Sequence, residues 1–258
     1  MDLKLAKKHF LVCGASSGFG RAVAEQLLHE GAHIIAVARR EEKLDELMSS
    51  HPNQVKKLVR DLSDQETLTE IESLVSALQL HGVLINAGGP PALSAMETTL
   101  DQWDEAYQSV LRWKVDLTKR LIPHFKENQY GRVLFVESQS IKQPIPSLVL
   151  SNAFRAAVAG FAKTLALEIA GSGITINIIA PGSHETPAID RVIKKRAEDS
   201  EKSFDEVKAE LEKSIPVGRM GTGEEFASLA AWLLSPHSGY VTGQTISHDG
   251  GNIKGLFG

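Results

Sequence analysis

Seven short apolar runs alternate with helical patterns from one end of the chain to the other, and no other feature restricts the fold so tightly. His9–Cys13, Ala32–Ala38, Val55–Arg60, Val83–Ala87, Arg132–Val136, Ile174–Ala180 and Thr245–His248 are predicted as strands. Gly18–Glu30, Arg40–Ser49, Asp64–Leu78, Leu100–Lys126, Leu150–Ala170 and Glu224–Leu234 are predicted as helices, with a charged helical insert at Ile189–Lys213. The early strands are apolar on both faces, as parallel strands covered by helices on both sides must be. Repeated βα units predict one α/β domain, a Rossmann-like, doubly wound parallel sheet of about seven strands with helices on both faces. Ser63–Glu66 and Thr222–Glu225 fit the S/T-x-x-E capping box. Gly31 stands where a helix end needs a left-handed residue.

Length and composition narrow the class. At 258 residues the chain suits one domain of this kind, expected over 1–258. Segment 187–215 is expected to be a substrate lid; the plainer alternative is a solvated charged face. Net charge is −4, which gives no reason to expect nucleic acid or an anionic membrane as partner. Cys13 is the single cysteine, which excludes an internal disulfide and zinc-type cysteine pairs, so no metal is expected. No apolar run reaches the ~20 residues of a membrane span. A cytoplasmic location is the expectation.

The first βα turn reads Gly14-Ala15-Ser16-Ser17-Gly18-Phe19-Gly20. Glycines there permit a tight turn and close passage of backbone past a pyrophosphate, whose charge the helix N-terminus then binds. G-x-x-x-G-x-G in this place resembles the short-chain dehydrogenase/reductase family. Further motifs follow in order over most of the chain. Asp61-Leu62 resembles the family's adenine contact and Asn86-Ala87-Gly88 its NAG motif. Pro181-Gly182, with Thr186 four residues beyond the glycine, resembles the loop at nicotinamide and phosphates. Thr242-Gly243-Gln244 and Asp249-Gly250-Gly251 resemble the C-terminal signature. The resemblance implies a nicotinamide cofactor and a homotetramer joined through the helices Leu100–Lys126 and Leu150–Ala170, with Trp113 and Phe161 as apolar candidates. At the end of the second strand stand Ala38, Arg39 and Arg40, with no carboxylate to repel a 2′-phosphate and guanidinium groups to grip it. NADP(H) is therefore expected, with Arg39 as the main contact.

The resemblance breaks at the reacting centre. The family's Asn, Ser, Tyr and Lys positions hold Val110, Ser138, Ser151 and Arg155. A serine hydroxyl is a far weaker acid than a phenol, and arginine does not readily give up its proton. Ser138 and Ser151 are expected to orient a carbonyl, Arg155 to hold ribose hydroxyls, and Lys142 or a water to supply the proton. His184, which ordinarily titrates near neutrality, and Lys114, one turn after Val110, are further candidates. Glu137 is expected to face away. Pro90, Pro91, Leu93, Pro144, Ile145 and Pro146 suggest a dry pocket. The leading reading is an NADP(H)-dependent oxidoreductase for a ketone or aldehyde; by resemblance, it is 3-oxoacyl-thioester reductase-like. A non-catalytic NADP(H)-binding sensor or assembly protein, and non-redox chemistry on the same scaffold, remain as alternatives.

Overall fold

In the computed structural model, which describes residues 1–256 with the side chains at positions 195 and 199 excepted, strands and helices alternate as the periodicity requires. The order begins β1 (His9–Cys13), α1 (Gly18–His29), β2 (His33–Ala38), α2 (Glu41–Ser50), β3 (Val55–Val59), α3 (Gln65–Ser76) and β4 (Leu80–Ile85). It continues α4 (Leu100–Ala106), α5 (Trp113–Glu127), β5 (Gly131–Val136), α6 (Val149–Glu168) and β6 (Ile174–Pro181). It closes with α7 (Pro187–Ser200), α8 (Phe204–Ser214), α9 (Gly223–Leu234) and β7 (Thr245–His248). All seven strands form one parallel sheet in the order β3-β2-β1-β4-β5-β6-β7.

Alternation along each strand feeds two apolar layers. Phe10, Val12, Ile34, Ala36, Leu134 and Val136 face the layer covered by α1 and α9. Leu11, Cys13, Ile35, Val37, Val133 and Phe135 face the layer covered by α3, α5 and α6. Fully burying one such Leu, Ile or Phe contributes roughly 1.5–3 kcal/mol, so both faces must be covered for the strands to be stable. The helix ends follow local chemistry. Gly31, at φ +77°, closes α1 with paired bonds from its own N–H to Leu28 and from Ala32 N–H to Leu27. Thr222 and Glu225 form the expected capping box on α9.

Four details differ from the sequence expectation. Asp64, not Ser63, is the N-cap of α3, because Asp61 Oδ1 accepts from the Ser63 amide (2.9 Å) and winds that turn one residue further. β4 begins at Leu80, because the sheet starts with His9 opposite Leu80 and His81 Nδ1 accepts the His9 amide (3.1 Å); Asn86–Gly88 then lie in the loop. The insert is two helices, α7 and α8, broken at Glu201 (φ +54°) and sharing a small core of Ile193, Val207, Ile215 and Met220. The stretch Leu100–Lys126 is not one regular helix: Tyr107–Arg112 forms a π-helical turn between α4 and α5. That wider turn lets Trp103 meet Phe154 of α6 edge-on (5.6 Å between centroids) while Trp113 turns into the core. Trp113 is therefore not available to another subunit, contrary to expectation: it is 2% exposed and its Nε1 donates to Ser109 O. Phe161 is half-buried against the same layer.

Among the described residues no helix is long and apolar enough to cross a membrane. At the amino edge of the sheet His9, His33, His81, His124 and Tyr130 crowd together.

Candidate active site

The strand order reverses between β1 and β4, and at such a point the loops leaving the carboxyl ends of the strands part and leave a crevice. On one side runs the glycine turn. Gly14 takes φ +68° and passes so near Asn86 that an added Cβ would lie 2.8 Å from its Nδ2. An added Cβ on Gly20 would lie 2.2 Å from the Gly14 carbonyl oxygen. The turn therefore closes directly on the first turn of α1, and only glycine fits there. Ser17, the N-cap of α1, makes no side-chain cap bond, so it leaves first-turn amides for an anion. Arg40 Nη2 donates to Ser16 Oγ (2.9 Å) and Ser17 Oγ (2.6 Å), which places a guanidinium on the same turn. Arg39 is largely exposed and approaches Asp61 Oδ2 at 3.4 Å. The Phe19 ring packs on Phe226 (4.1 Å) and edge-on to His184 (5.1 Å), so this side chain anchors the turn to α9. Leu62 and Ala87 likewise pack against the core layer of α3 and α5.

Across the crevice, the loop after β6 is pinned at both ends. Gly182 passes within Cβ distance of Asp249 (2.8 Å), and the Thr186 methyl stands opposite Gly18 (3.8 Å from its built Cβ). His184 fixes the middle. Its Nδ1 donates to Gly182 O (3.1 Å), and its Nε2 accepts from His248 Nδ1 (2.7 Å) when both rings are neutral. Burial pushes the His184 pKa down, so the ring is neutral at pH 7 and serves as a tie. This replaces the expectation that it titrates near neutrality.

The reacting side is built by β5, α5 and α6. Ser138 stands two residues beyond the end of β5, and its Oγ accepts from the Ser140 amide (3.1 Å). Ser151 sits in the first turn of α6, and its Oγ accepts from Arg155 Nε one turn on (3.0 Å). Arg155 Nη1 donates to Glu137 Oε2 (3.0 Å), and Lys114 Nζ donates to Glu137 Oε1 (2.5 Å). Glu137 thus faces neither solvent nor empty space: its side chain is 0% exposed and bridges two cations. The expectation that it faces away fails because alternation puts it on the Val133–Phe135 face, which is the face that α5 and α6 cover. Lys114 does point inward, at 1% exposure, and burial pulls its pKa below the ordinary lysine range while Glu137 works the other way. Lys142 is only half-buried, in the loop after Ser138, so the buried lysine of the site is Lys114. Asn152 holds the far end of that loop through Ile145 O (2.9 Å). Of the apolar residues expected to make a dry pocket, Pro90, Leu93 and Ile145 are half-buried, and Pro91, Pro144 and Pro146 are exposed.

The sequence pointed to Arg40 as a phosphate contact but not to its bonds with Ser16 and Ser17, and it missed Glu137 as a partner of Arg155, and His248. Strand alternation was the signal available for Glu137.

A glycine cradle at the switch point of a seven-stranded parallel sheet places the molecule among the dinucleotide-binding α/β proteins. The sequence model of the family described as enoyl-(acyl carrier protein) reductase matches residues 14–252. The 3-oxoacyl-(acyl-carrier-protein) reductase FabG of Haemophilus influenzae is 30% identical over 93% of this chain and 96% of its own length. The NADPH-dependent reductase BacG of Bacillus subtilis is 29% identical over 98% and 100%. The L-sorbose reductase of Gluconobacter frateurii, solved with NADPH and L-sorbose, superposes with a TM-score of 0.93 at 27% identity, covering 99% of this chain and 100% of that one. The chain belongs to the short-chain dehydrogenase/reductase family.

Proposed function

We propose that this protein is an NADP(H)-dependent oxidoreductase that reduces a ketone or aldehyde with Ser138, Ser151 and Arg155 in place of the family's Ser-Tyr-Lys group. The relatives named as NADPH-dependent support the cofactor, and the site fits it. A cradle that a Cβ would fill, uncapped α1 amides and the Arg39–Arg40 pair without a carboxylate at Ala38 suit a pyrophosphate and a 2′-phosphate. Gly14, Ser16, Ser17, Gly18, Gly20 and Thr186 hold the phosphates, Asp61 and Leu62 border the adenine, and Arg155 meets ribose hydroxyls. Asn86, Ala87, Gly88, Pro181 and Gly182 shape the crevice walls.

One observation carries the carbonyl reading. Both serine oxygens already accept a hydrogen bond, from Ser140 N–H and from Arg155 Nε–H, and among the described residues neither hydroxyl donates one. A hydroxyl has one proton to give, so the site offers two unspent donors. A carbonyl oxygen accepts two, and its lone pairs gain charge as the bond is reduced. When bound, NADPH supplies hydride to the carbonyl carbon. The C=O π pair moves to oxygen, Ser138 and Ser151 stabilise it, and Lys142 or a water gives the final proton. The names of relatives favour a 3-oxoacyl thioester as the first substrate to try.

Helices α7 and α8 are assigned as the lid over the substrate side. The single domain is taken to span 1–258, of which the last two residues lie outside the described ones. A homotetramer is assigned through α5 and α6, where Leu167 is 68% exposed; a monomer in light scattering at micromolar concentration would remove that assignment.

The test is a single-turnover assay with stoichiometric enzyme, NADPH and a panel of 3-oxoacyl thioesters, diketones and aldehydes. NADPH absorbance is expected to fall with at least one member, and the fall to slow in Ser138→Ala. Bound NADPH, seen by its fluorescence, with no absorbance loss across the panel and pH range would overturn the reductase reading in favour of a sensor or non-redox role.

A further inference from the structure

We infer that Glu137 is a positioning residue: acting through Arg155, it sets the Ser151 hydroxyl as a donor to the reacting substrate oxygen. The inference rests on the carbonyl-reductase reading for its activity arm only.

A serine beside an arginine does not by itself have a defined hydroxyl direction. The hydroxyl rotates to suit its neighbours. Here the neighbour is fixed. Arg155 Nε donates to Ser151 Oγ at 3.0 Å, so the serine oxygen is occupied and its proton is turned elsewhere. Arginine can do this only if its fork is held, since the side chain has several rotatable bonds. Glu137 holds it: Oε2 accepts from Nη1 at 3.0 Å while Nε faces the serine. Donors on two different edges of the planar guanidinium are thus spent on two different side chains, which fixes the plane.

Glu137 is itself fixed. It directly follows β5, where parity turns it toward α5 and α6, and Lys114 Nζ donates to its second oxygen at 2.5 Å. All three groups are buried, with Lys114 at 1% exposure and the Glu137 side chain at 0%. One carboxylate shared by two cations leaves one positive charge behind Ser151. An isolated charge is costly to bury, and breaking such a pair by removing one partner is strongly destabilising. The arrangement therefore needs a reason beyond packing, and the reacting oxygen, which gains negative charge, supplies one. The chain of contacts runs from α5 through β5 to α6 and ends at the unspent proton.

Hydrogen-bond geometry can be separated from charge by working in a Lys114→Met background. K114M/E137Q keeps an acceptor for Arg155 Nη1, whereas K114M/E137L removes it. Both carry the same net charge in the cluster and both leave the Arg155 guanidinium without a carboxylate, so the cost of that unpaired charge falls on the two variants alike and is checked by urea denaturation of each. K114M/E137M is the second apolar variant. The first readout is hydrogen exchange of the Arg155 Nε–H, seen by ¹⁵N NMR and assigned by its loss in Arg155→Lys. K114M/E137L is expected to exchange at least about tenfold faster than K114M/E137Q, because the guanidinium loses its second anchor. The second readout is turnover of the best carbonyl from the panel. K114M/E137L is expected to lose about 100-fold in kcat, the usual effect of one lost oxyanion donor. KM should stay within about threefold, and K114M/E137Q should recover most of the loss. In Ser151→Ala, the added K114M/E137L changes should cost no further activity, since the final acceptor is already gone.

Equal exchange in the Gln and Leu variants would overturn the positioning role. So would kcat losses that multiply with Ser151→Ala. If no carbonyl is reduced, the reductase reading fails, and the exchange comparison still decides whether Glu137 sets Arg155.

Discussion

Replacing Gly20 by alanine tests the cradle most directly, because the obstacle is backbone. The added Cβ would stand 2.2 Å from Gly14 O, 2.7 Å from Gly14 C and 3.0 Å from Asn86 Nδ2. An ordinary carbon–oxygen approach is about 3.3 Å or more, so the overlap is roughly 1 Å. A carbonyl oxygen in a turn cannot rotate out of the way as a side chain can. The turn between β1 and α1 must move, at a cost of roughly 1–3 kcal/mol. That cost falls on folding if the turn shifts in the free protein, and on cofactor binding if the bound turn must be restored. The two are measured separately, by urea denaturation without cofactor and by NADPH fluorescence titration. Their combined loss should reach about 1 kcal/mol or more, equivalent to a roughly fivefold or greater loss if it all appears in Kd. Gly171→Ala is the control. Nothing lies within 4 Å of its built Cβ, and its φ is not in the left-handed region. It should raise stability by about 0.4–1 kcal/mol through the unfolded chain. Gly20→Ala matching the parent in both assays would refute the idea that the turn is sterically closed on α1.

Three further outcomes are expected. Arg39→Ala should weaken NADPH by roughly tenfold or more while leaving NADH nearly unchanged, since a charge-assisted bond to the 2′-phosphate contributes about 1.5–3 kcal/mol; parallel fluorescence titrations decide it, and an equal effect on both cofactors would remove Arg39 as the discriminating contact. His81 has its pKa lowered to about 4, first by burial and then by Lys8 and His9. The unfolded chain binds that proton near the ordinary 6.5 and the folded chain does not, so stability is full above that value and falls as pH drops toward 4. Because the ring is only half-buried, the contribution is discounted to about 2 kcal/mol. Urea midpoints from pH 7 to 4 should show the decline, and His81→Asn, which keeps an acceptor for the His9 amide, should flatten it. The Cys13 thiol is buried and pushed up to about 12, so it should stay unlabelled by a thiol reagent until the protein unfolds; rapid labelling of folded protein would contradict this.

What could be read from the residues depended on whether the deciding contact was local. β1 and β7 carry their own apolar patterns, and both occupy the predicted positions. The glycine turn and the Thr222 box are also local, and both are present. Asp64 as the cap of α3 was hidden because Asp61, outside the four-residue box, winds the turn. The start of β4 was hidden because His81 is polar yet is satisfied by a strand 72 residues away. The role of Glu137 was hidden for a related reason. Proximity to Ser138 drew attention to the wrong face, while its partners stand 23 residues before it and 18 after it. Lys114 and Lys142 show the same limit. Both have the same chemistry, but only one is enclosed, and enclosure belongs to the packing of α5 on the sheet.

The π-helical turn at Tyr107–Arg112 carries a mechanical consequence. Each residue advances an α-helix by about 100°, so one residue more or less between Trp103 and Lys114 would swing one end against the other by that angle. With the wider turn in place, the aromatic end rests on Phe154 while the amine end lies beneath the sheet. Deleting a single residue there would leave a straighter rod with its two ends facing in the wrong directions. The turn acts as a phase adjuster, letting one helical rod serve two unrelated surfaces at once.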